Sequence, residues 1–261
     1  MTYRFCAQTD PGLMRGNNED AVVFDPETGL AVLADGMGGY NAGEVASGMA
    51  TSLIHTEMRR WLTEAGEAAT TQDIRRALEI CVDHANMSVF KAAADNPQYS
   101  GMGTTLVAGV FHAGRLVVGH IGDSRCYRLR QGEFVQITRD HSLLQEQIDA
   151  GLLTPEQAAV SANKNLVTRA LGVDPMVLLE VNEYTVEPGD LYLMCSDGLS
   201  DLVRDAEIAR LLAQSPVGEQ QAQALIDAAN AQGGRDNITV LLVQVDAAAE
   251  KRGLMARLLG K

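Results

Sequence analysis

The sequence predicts an α+β fold built on antiparallel β-sheets. Short apolar segments bounded by Gly, Asn and Asp recur along the chain and are typical of buried strands. They are residues 30–34, 106–111, 116–121, 191–195 and 238–243. Breaks at residues 112–114 and 130–132, each containing glycine, have the form of hairpin turns, which favours antiparallel neighbours over parallel crossovers.

Helical segments are interspersed with these strands without strict alternation, which is the α+β pattern. Over residues 71–94, apolar side chains that include Ile74, Leu78 and Cys81 recur at the spacing of one helix face. Further helices are predicted at 42–61, 202–212 and 220–231. The segment Thr154-Pro155-Glu156-Gln157 has the form of a capping box, so a short helix is expected to begin there.

Composition indicates a single soluble domain. The chain has 261 residues, 46% of them apolar, and no Pro-, Gly- or Ser-rich linker divides it. The first residues lack the apolar run of a secretion signal, and no stretch approaches a membrane span of about 18 apolar residues. Four scattered cysteines favour free thiols in a reducing compartment, and we therefore expect a cytoplasmic protein. The formal net charge of −13 opposes binding to nucleic acid.

Four aspartates stand at the ends of predicted strands. Asp35, Asp123 and Asp197 each follow an apolar strand at a turn containing glycine, and Asp236 immediately precedes a strand. Any one of them would usually be a turn former. Together they are better explained by carboxylates gathered at one edge of a pair of sheets, where rigid strands place them around a ligand.

Such a carboxylate cluster predicts a hard divalent cation. Without neighbouring Cys or His ligands, the oxygen donors favour Mg²⁺ or Mn²⁺ over Zn²⁺. Two such ions can activate a water and neutralise charge on a phosphoryl group during in-line displacement. Hydrolysis of a phosphate ester is therefore the expected reaction.

Eight short motifs extend this pattern along nearly the whole chain. They are RGNNED (15–20), DGMGG (35–39), GTT (103–105), GDSR (122–125), TRDHS (138–142), TRALG (168–172), SDG (196–198) followed by Asp201, and GRDN (234–237). In content and order they resemble the motifs of the metal-dependent Ser/Thr protein phosphatases of type 2C, in their bacterial form.

The resemblance implies a fold and a domain organisation. The fold would be a β-sandwich of two antiparallel sheets flanked by helices, in four layers α-β-β-α. Residues 1–246 would form a single catalytic domain with a flap subdomain at about 142–175 that meets the phosphoprotein. Residues 247–261 form a basic tail, which is either a frayed or core-docked terminus or an amphipathic helix for a partner or membrane surface.

The resemblance also implies a site with two Mn²⁺ or Mg²⁺ ions. Asp35 would bridge both metals and would be central to catalysis. Asp197 and Asp236 would hold the first ion, and the carbonyl of Gly36 would help to hold the second.

Other matched positions would complete this site. Glu19 and Asp20 would anchor waters bound to the metals, and Arg15 would be a catalytic residue that grips the substrate phosphate through its planar guanidinium. Asp123 and Asp201 match positions that bind a third, weaker metal in bacterial relatives. The alternatives are a surface salt bridge for Arg15 and a helix N-cap for Asp201.

Two further residues of the motifs are Met37 and His141. Met37 stands where many relatives carry a histidine proposed as the general acid, and a thioether cannot donate that proton. We hypothesise that a metal-bound water, at the Asp123 and Asp201 site, protonates the leaving group. His141 is expected to brace its loop by hydrogen bonding and not to take part in the chemistry.

Other enzyme classes fit poorly. A cysteine phosphatase needs an Arg six positions after its nucleophile, and none of the four cysteines has one. The only Gly-Lys pair is the terminal Gly260-Lys261, which excludes a P-loop.

The predicted function is therefore hydrolysis of phosphoserine and phosphothreonine in proteins, in opposition to a Ser/Thr kinase, by a monomeric enzyme. Two alternatives stay open. One is a phosphatase for another phosphorylated ligand, and the other is a catalytically silent binding or regulatory protein of the same fold, although the predicted ligands are all present.

Overall fold

Two antiparallel β-sheets form the centre of the molecule. The computed structural model describes residues 1–39, 42–154, 157–158, 166–214 and 217–247. The first sheet has the order β1-β11-β10-β7-β8. Its strands are β1 (Thr2–Asp10), β7 (Arg125–Arg130), β8 (Glu133–Gln136), β10 (Leu191–Cys195) and β11 (Ile238–Asp246).

The second sheet has the order β2-β3-β5-β6-β9, with the short β4 paired to the end of β3. Its strands are β2 (Asp20–Asp25), β3 (Leu30–Met37), β4 (Gly103–Thr104), β5 (Leu106–His112), β6 (Arg115–Ile121) and β9 (Glu180–Thr185). The hairpins β5–β6 and β7–β8 turn through Ala113-Gly114 and Gln131-Gly132, where all four residues have positive φ. Both predicted hairpins are thereby confirmed.

Helices cover the outer face of each sheet. The helices are α1 (Ala42–Ala65), α2 (Thr71–Asp95), α3 (Leu143–Asp149), α4 (Asp197–Ser200), α5 (Asp205–Gln214) and α6 (Glu219–Ala231). Helices α1 and α2 share a core with the second sheet, whereas α5 and α6 share one with the first. A third core lies between the sheets. The predicted four-layer α-β-β-α sandwich is confirmed.

Strand β3 illustrates why the predicted strands are runs of apolar residues. Leu30 and Val32 pack under α1 and α2, while Ala31 and Leu33 face the core between the sheets. Because both faces are buried, the strand shows no polar alternation. All five predicted strands are present.

The start of helix α5 differs from the prediction. Helix α5 begins at Asp205, not at 202, because the amide N–H groups of Leu202 and Val203 bond to the carbonyl of Leu199 and close the turn after α4. Asp201 is the C-cap of α4, so its interpretation as an N-cap is wrong. The reciprocal bonds of the capping box are present between Thr154 and Gln157. The rest of that predicted helix, and the tail from residue 248, lie outside the described residues.

Among the described residues, no helix has the length and apolar character required to cross a membrane. The cysteines are free, as expected from their spacing.

Candidate metal centre

Asp20 and Asp35 bring two carboxylates together from neighbouring strands. They are direct partners in the antiparallel register of β2 and β3. The Asp35 amide N–H donates to Thr105 Oγ1 at 3.0 Å, and its carbonyl accepts from the Thr105 N–H at 2.9 Å. The backbone of Asp35 is therefore fixed on both sides, which places its side chain rigidly.

Asp197 and Asp236 come from the other sheet. Asp197 opens α4 two residues after β10 ends, and Asp236 lies two residues before β11 begins. Strands β10 and β11 are antiparallel neighbours, so both aspartates lie at the same end of the sandwich. A Cβ on Gly198 would overlap the carbonyl oxygen of Asn237, and this close approach explains why the residue after Asp197 is glycine.

The electrostatics show that these carboxylates form one cluster. Burial, followed by the charges of Asp20, Asp197 and other neighbouring carboxylates, raises the pKa of Asp35 well above its ordinary value. The pKa of Asp197 is raised in the same way, with Asp123 and Asp236 as the leading neighbours. Burial also raises the pKa of Asp20 to about 6. Buried acids this close repel one another unless a proton or a cation intervenes.

The donor set fits a hard divalent cation. Asp20 Oδ1 and Asp197 Oδ1 are buried and have no hydrogen-bond partner among the described residues. The other oxygen of Asp20 accepts from Ser196 Oγ at 2.7 Å, so Oδ1 is the atom of this carboxylate without a partner. Because a buried carboxylate oxygen without a partner is costly, these two atoms indicate a bound ion.

Glycines bring Glu19 close to the start of α1. The Gly36 N–H donates to the Glu19 carbonyl at 3.0 Å. A Cβ on Gly43 would lie 2.7 Å from Glu19 Oε2, and a Cβ on Gly36 would overlap the Gly43 carbonyl. Only glycines at these two positions allow the Glu19 carboxylate and the α1 backbone to meet beside Asp35.

Arg15 lies on a loop that is held against Asp236. Its Nη2 donates to Asp236 Oδ2 at 2.7 Å, and its side chain is 50% exposed. The loop is fixed by Gly12, which has φ +75°, and by the Leu13 N–H, which donates to the Gly234 carbonyl at 2.8 Å. The guanidinium therefore stands at the solvent side of the carboxylate cluster.

Asp123 and Asp201 line an adjoining cleft of about 260 Å³, together with Asp197. Burial, with a further contribution from Asp140, raises the pKa of Asp123 to about 6. On one side the cleft is bounded by Leu144 and other residues of α3. The structure thus brings all nine sequence-predicted site residues to one end of the sandwich, with Asp123 and Asp201 forming a second cluster beside the first.

Arg125 and Asp140 form an ion pair that also lines this cleft and that was not predicted from the sequence. Arg125 Nε and Nη2 both donate to the Asp140 carboxylate, with a shortest distance of 2.6 Å. Membership of the GDSR and TRDHS motifs was the available signal, but it did not indicate that the two residues meet. The pair fixes the loop that carries Asp123 to the loop before α3.

Asn237 is a second residue whose role was missed. Its Oδ1 accepts from the Glu19 N–H at 2.8 Å, and its Nδ2 donates to the carbonyl oxygens of Pro11 and Asn17 at 3.0 and 2.9 Å. One buried amide therefore links the loop that carries Arg15 and Glu19 to the loop that carries Asp236.

His141 braces its loop, as expected. Its Nδ1 accepts from the Gly122 N–H at 3.1 Å, and its Nε2 lies 3.3 Å from Glu180 Oε2. His120, His141 and Glu180 bring possible ligand atoms within 4.8 Å of one another. However, the two imidazole rings stack with only 11° between their planes, so no cation can lie in both planes, and His141 Nδ1 is already engaged.

Known proteins are similar to this chain over most of its length. The family model described as "Protein phosphatase 2C" matches residues 16–232. The Ser/Thr protein phosphatase PstP of Mycobacterium tuberculosis is 40% identical over 247 residues, which cover 94% of this chain and 45% of PstP. This chain therefore spans about half the length of that relative. The Ser/Thr phosphatase stp of Listeria monocytogenes is 36% identical over 248 residues, which cover 94% of this chain and 97% of stp.

Solved structures match the whole sandwich. The M. tuberculosis PstP/Ppp structure superposes with a TM-score of 0.87 at 38% identity, and covers 95% of this chain and 100% of that one. The catalytic domain of PstP in complex with two manganese ions superposes with a TM-score of 0.82 at 39% identity, and covers 94% and 99% of the two chains. From its fold, its carboxylate cluster and these similarities, we conclude that this chain belongs to the protein phosphatase 2C family.

Proposed function

We propose that the protein hydrolyses phosphoserine and phosphothreonine in proteins with the help of two Mn²⁺ or Mg²⁺ ions. The observation that carries this proposal is the convergence of buried aspartates from both sheets, two of them with an unpartnered oxygen, in a chain of the protein phosphatase 2C family. Two bound divalent cations would supply an activated water and would neutralise charge on the phosphoryl group.

Each carboxylate has a proposed part in holding these ions. Asp35 would bind both ions, since its side chain lies among the charges of Asp20, Asp197 and Asp236. Asp197 and Asp236 would hold the first ion, and the Gly36 carbonyl would contribute to the second.

Two acids that lie beside these ligands orient waters around the ions. Asp20 is supported in this role by its buried, unpartnered Oδ1. Glu19 is supported by its close approach to Gly36 and to the start of α1.

Arg15 is the proposed partner of the substrate phosphate. Asp236 engages Nη2, so the guanidinium is oriented at the rim of the metal centre. A planar fork can donate two parallel hydrogen bonds to phosphoryl oxygens, which a lysine cannot do. The half-exposed side chain is accessible to a substrate from solvent.

We further propose a third, weaker cation at Asp123 and Asp201. Both carboxylates line the cleft between the core cluster and α3. This site is more open than that of Asp35 and Asp197, which is consistent with weaker binding.

The broader assignments are also proposals. Residues 1–246 act as a single catalytic domain, and the segment at about 142–175 is a flap that contacts the phosphoprotein. The enzyme works as a monomer in the cytoplasm and opposes a Ser/Thr protein kinase. Four free cysteines support a reducing compartment.

An activity assay tests the function. Purified protein with Mn²⁺ should release phosphate from phosphothreonine and phosphoserine peptides, and chelation should abolish the release. Sugar phosphates should be poor substrates. If the protein binds the peptides but releases no phosphate with Mn²⁺ or Mg²⁺, it is a catalytically silent binding protein. If it prefers small phosphorylated metabolites, it is a phosphatase for another phosphorylated ligand.

A further inference from the structure

A groove opens along one side of the sandwich. Strand β8 is the edge of the first sheet and β9 is the edge of the second. Between them lies a groove of about 590 Å³, lined by β7, β8 and β9 and by the loop at residues 137–139. Tyr184 Oη on β9 donates to the Ile137 carbonyl at 2.7 Å and joins the two edges at the base of what we call the β8–β9 groove.

Arg128 on β7 lines this groove and lacks a partner. Its Nε is buried without a hydrogen-bond partner, and among the described residues it forms no ion pair. The other two arginines of the strand differ, because Arg125 has Asp140 and Arg130 has Asp190 as a carboxylate partner. A buried cationic donor without an acceptor is unfavourable, so a bound anion would stabilise Arg128.

The other charged side chains of the groove are already engaged. Glu180 accepts from Asn182 Nδ2 at 3.3 Å and faces His141 Nε2 at the same distance through its second oxygen. Arg139 is ion-paired with Asp149 of α3. The charge that the groove offers to a ligand is therefore the positive charge of Arg128.

The groove adjoins the metal centre through α3. Gln145 of this helix lines both the β8–β9 groove and the cleft of Asp123 and Asp201. Its Nε2 donates to Asp149 Oδ1 at 2.8 Å, on the carboxylate that also holds Arg139. A peptide whose phosphorylated residue is held at the metal centre would therefore have a path past Gln145 into the groove.

We propose that the β8–β9 groove is a subsite for an acidic side chain of the phosphoprotein substrate, with Arg128 as its cationic partner. This inference rests on the proposed phosphatase function. A guanidinium and a carboxylate form charge-assisted hydrogen bonds, and the bound acid would supply the negative partner that Arg128 lacks among the described residues. Arg128 would thereby determine sequence preference without contacting the reacting phosphate.

Position-scanned phosphopeptides test this subsite. A phosphothreonine peptide of Ala and Gln residues would carry one Glu, or one Lys, at each neighbouring position in turn. For the wild type with Mn²⁺, we expect a Glu at one or two positions to lower KM about tenfold, which is typical of a charged hydrogen bond. Arg128→Met should abolish this preference, and Arg128→Glu should transfer it to the Lys peptide.

The controls separate binding at the groove from general damage. Arg76→Glu on α2 removes an exposed arginine from the helix layer and should keep the Glu preference. Turnover of a small aryl phosphate should remain the same in all variants. Arg128→Met should fold normally because it removes an unsatisfied donor. If Arg128→Glu is unstable, the loss of the Glu preference in Arg128→Met is sufficient to test the subsite.

Two results would overturn the subsite. The first is that the wild type shows no preference for Glu at any peptide position. The second is that Arg128→Met keeps the preference of the wild type. If no phosphopeptide is hydrolysed while the aryl phosphate is, the proposed protein phosphatase function fails and this inference fails with it.

Discussion

Asp20 on β2 and Asp35 on β3 stand directly opposite each other, and both carboxylates are buried. Like charges in this position destabilise a sheet. The destabilising pair of Asp20 and Asp35 lies at the end of the sandwich where Asp197 and Asp236 also converge. The metal-free fold therefore carries an electrostatic strain that divalent cations would relieve.

Replacing Asp35 with Asn tests this relationship. The change removes one anion from the cluster, so the Tm of the metal-free protein should rise while Mn²⁺ affinity and turnover fall. We expect turnover to drop at least about a hundredfold, since the proposed ligand of both ions is lost. Thermal denaturation with and without EDTA, Mn²⁺ titration calorimetry and phosphopeptide kinetics measure the three effects.

Asp25→Asn is the matched control for this variant. Asp25 is a buried aspartate at the opposite end of β2 and is ion-paired with Arg59. Its replacement should lower the Tm but leave Mn²⁺ binding intact. Normal turnover in Asp35→Asn would refute the assignment of Asp35 as a metal ligand.

The stability of the metal-free protein should fall as the pH rises toward neutrality. Asp20 and Asp123 have folded-state pKa values of about 6, against an ordinary value of 3.8. Between these values the folded state binds more protons than the unfolded state. Their contribution is therefore fully present below about pH 4 and is lost as the pH rises through about 6.

Mn²⁺ should consequently stabilise the protein more at about pH 7.5 than at about pH 5, because protons compete with the cation for the same carboxylates. Thermal denaturation across this range, with Mn²⁺ or EDTA, gives the difference in Tm at each pH. A difference that is constant or that shrinks as the pH rises would contradict the proposed ligand set.

Arg15 should contribute to binding of the substrate phosphate. Arg15→Ala removes the guanidinium, and we expect kcat/KM for a phosphopeptide to fall about ten- to a hundredfold, mainly through KM. Arg15→Lys should recover only part of the loss, because an ammonium lacks the fork. Steady-state kinetics with a phosphopeptide measure both variants.

Arg4→Ala provides a close control, since Arg4 and Asp246 form a similarly exposed pair at 2.6 Å at the other end of β1. This variant should keep full activity. If Arg15→Ala behaves like Arg4→Ala, the pair of Arg15 and Asp236 is only a surface salt bridge.

The strands and the order of the motifs could be predicted because their signals are local. Runs such as Leu30 to Leu33 are apolar since both faces of the strand are buried, and the hairpins show their glycines directly. The four-layer arrangement was not visible in these patterns and came from the resemblance to a family.

The contacts that hold the site together could not be predicted, because they join distant parts of the chain. Asn237 bonds to Asn17, which is 220 positions away, and nothing in either neighbourhood indicates the other. The start of α5 was missed for a related reason. The turn after α4 continues the helical pattern in sequence, while its hydrogen bonds to Leu199 end the helix in space.

The leaving group of the substrate needs a proton donor, and Met37 does not provide one. Met37 ends β3, where its backbone pairs with Gly103, and its thioether cannot donate a proton. Asp123 lines the cleft beside the core cluster and has a pKa raised to about 6, chiefly by burial. We therefore expect the proton to arrive through the Asp123 and Asp201 site.

Two substrates distinguish this route, because an aryl leaving group departs with little protonation whereas a serine alkoxide needs it. Asp123→Ala should reduce kcat on a phosphoserine peptide about ten- to a hundredfold more than on an aryl phosphate. Met37→Ala is the control and should change both rates by similar, modest factors. Equal losses on the two substrates in Asp123→Ala would mean that this site does not deliver the proton, and a selective loss in Met37→Ala would mean that the end of β3 positions the donor.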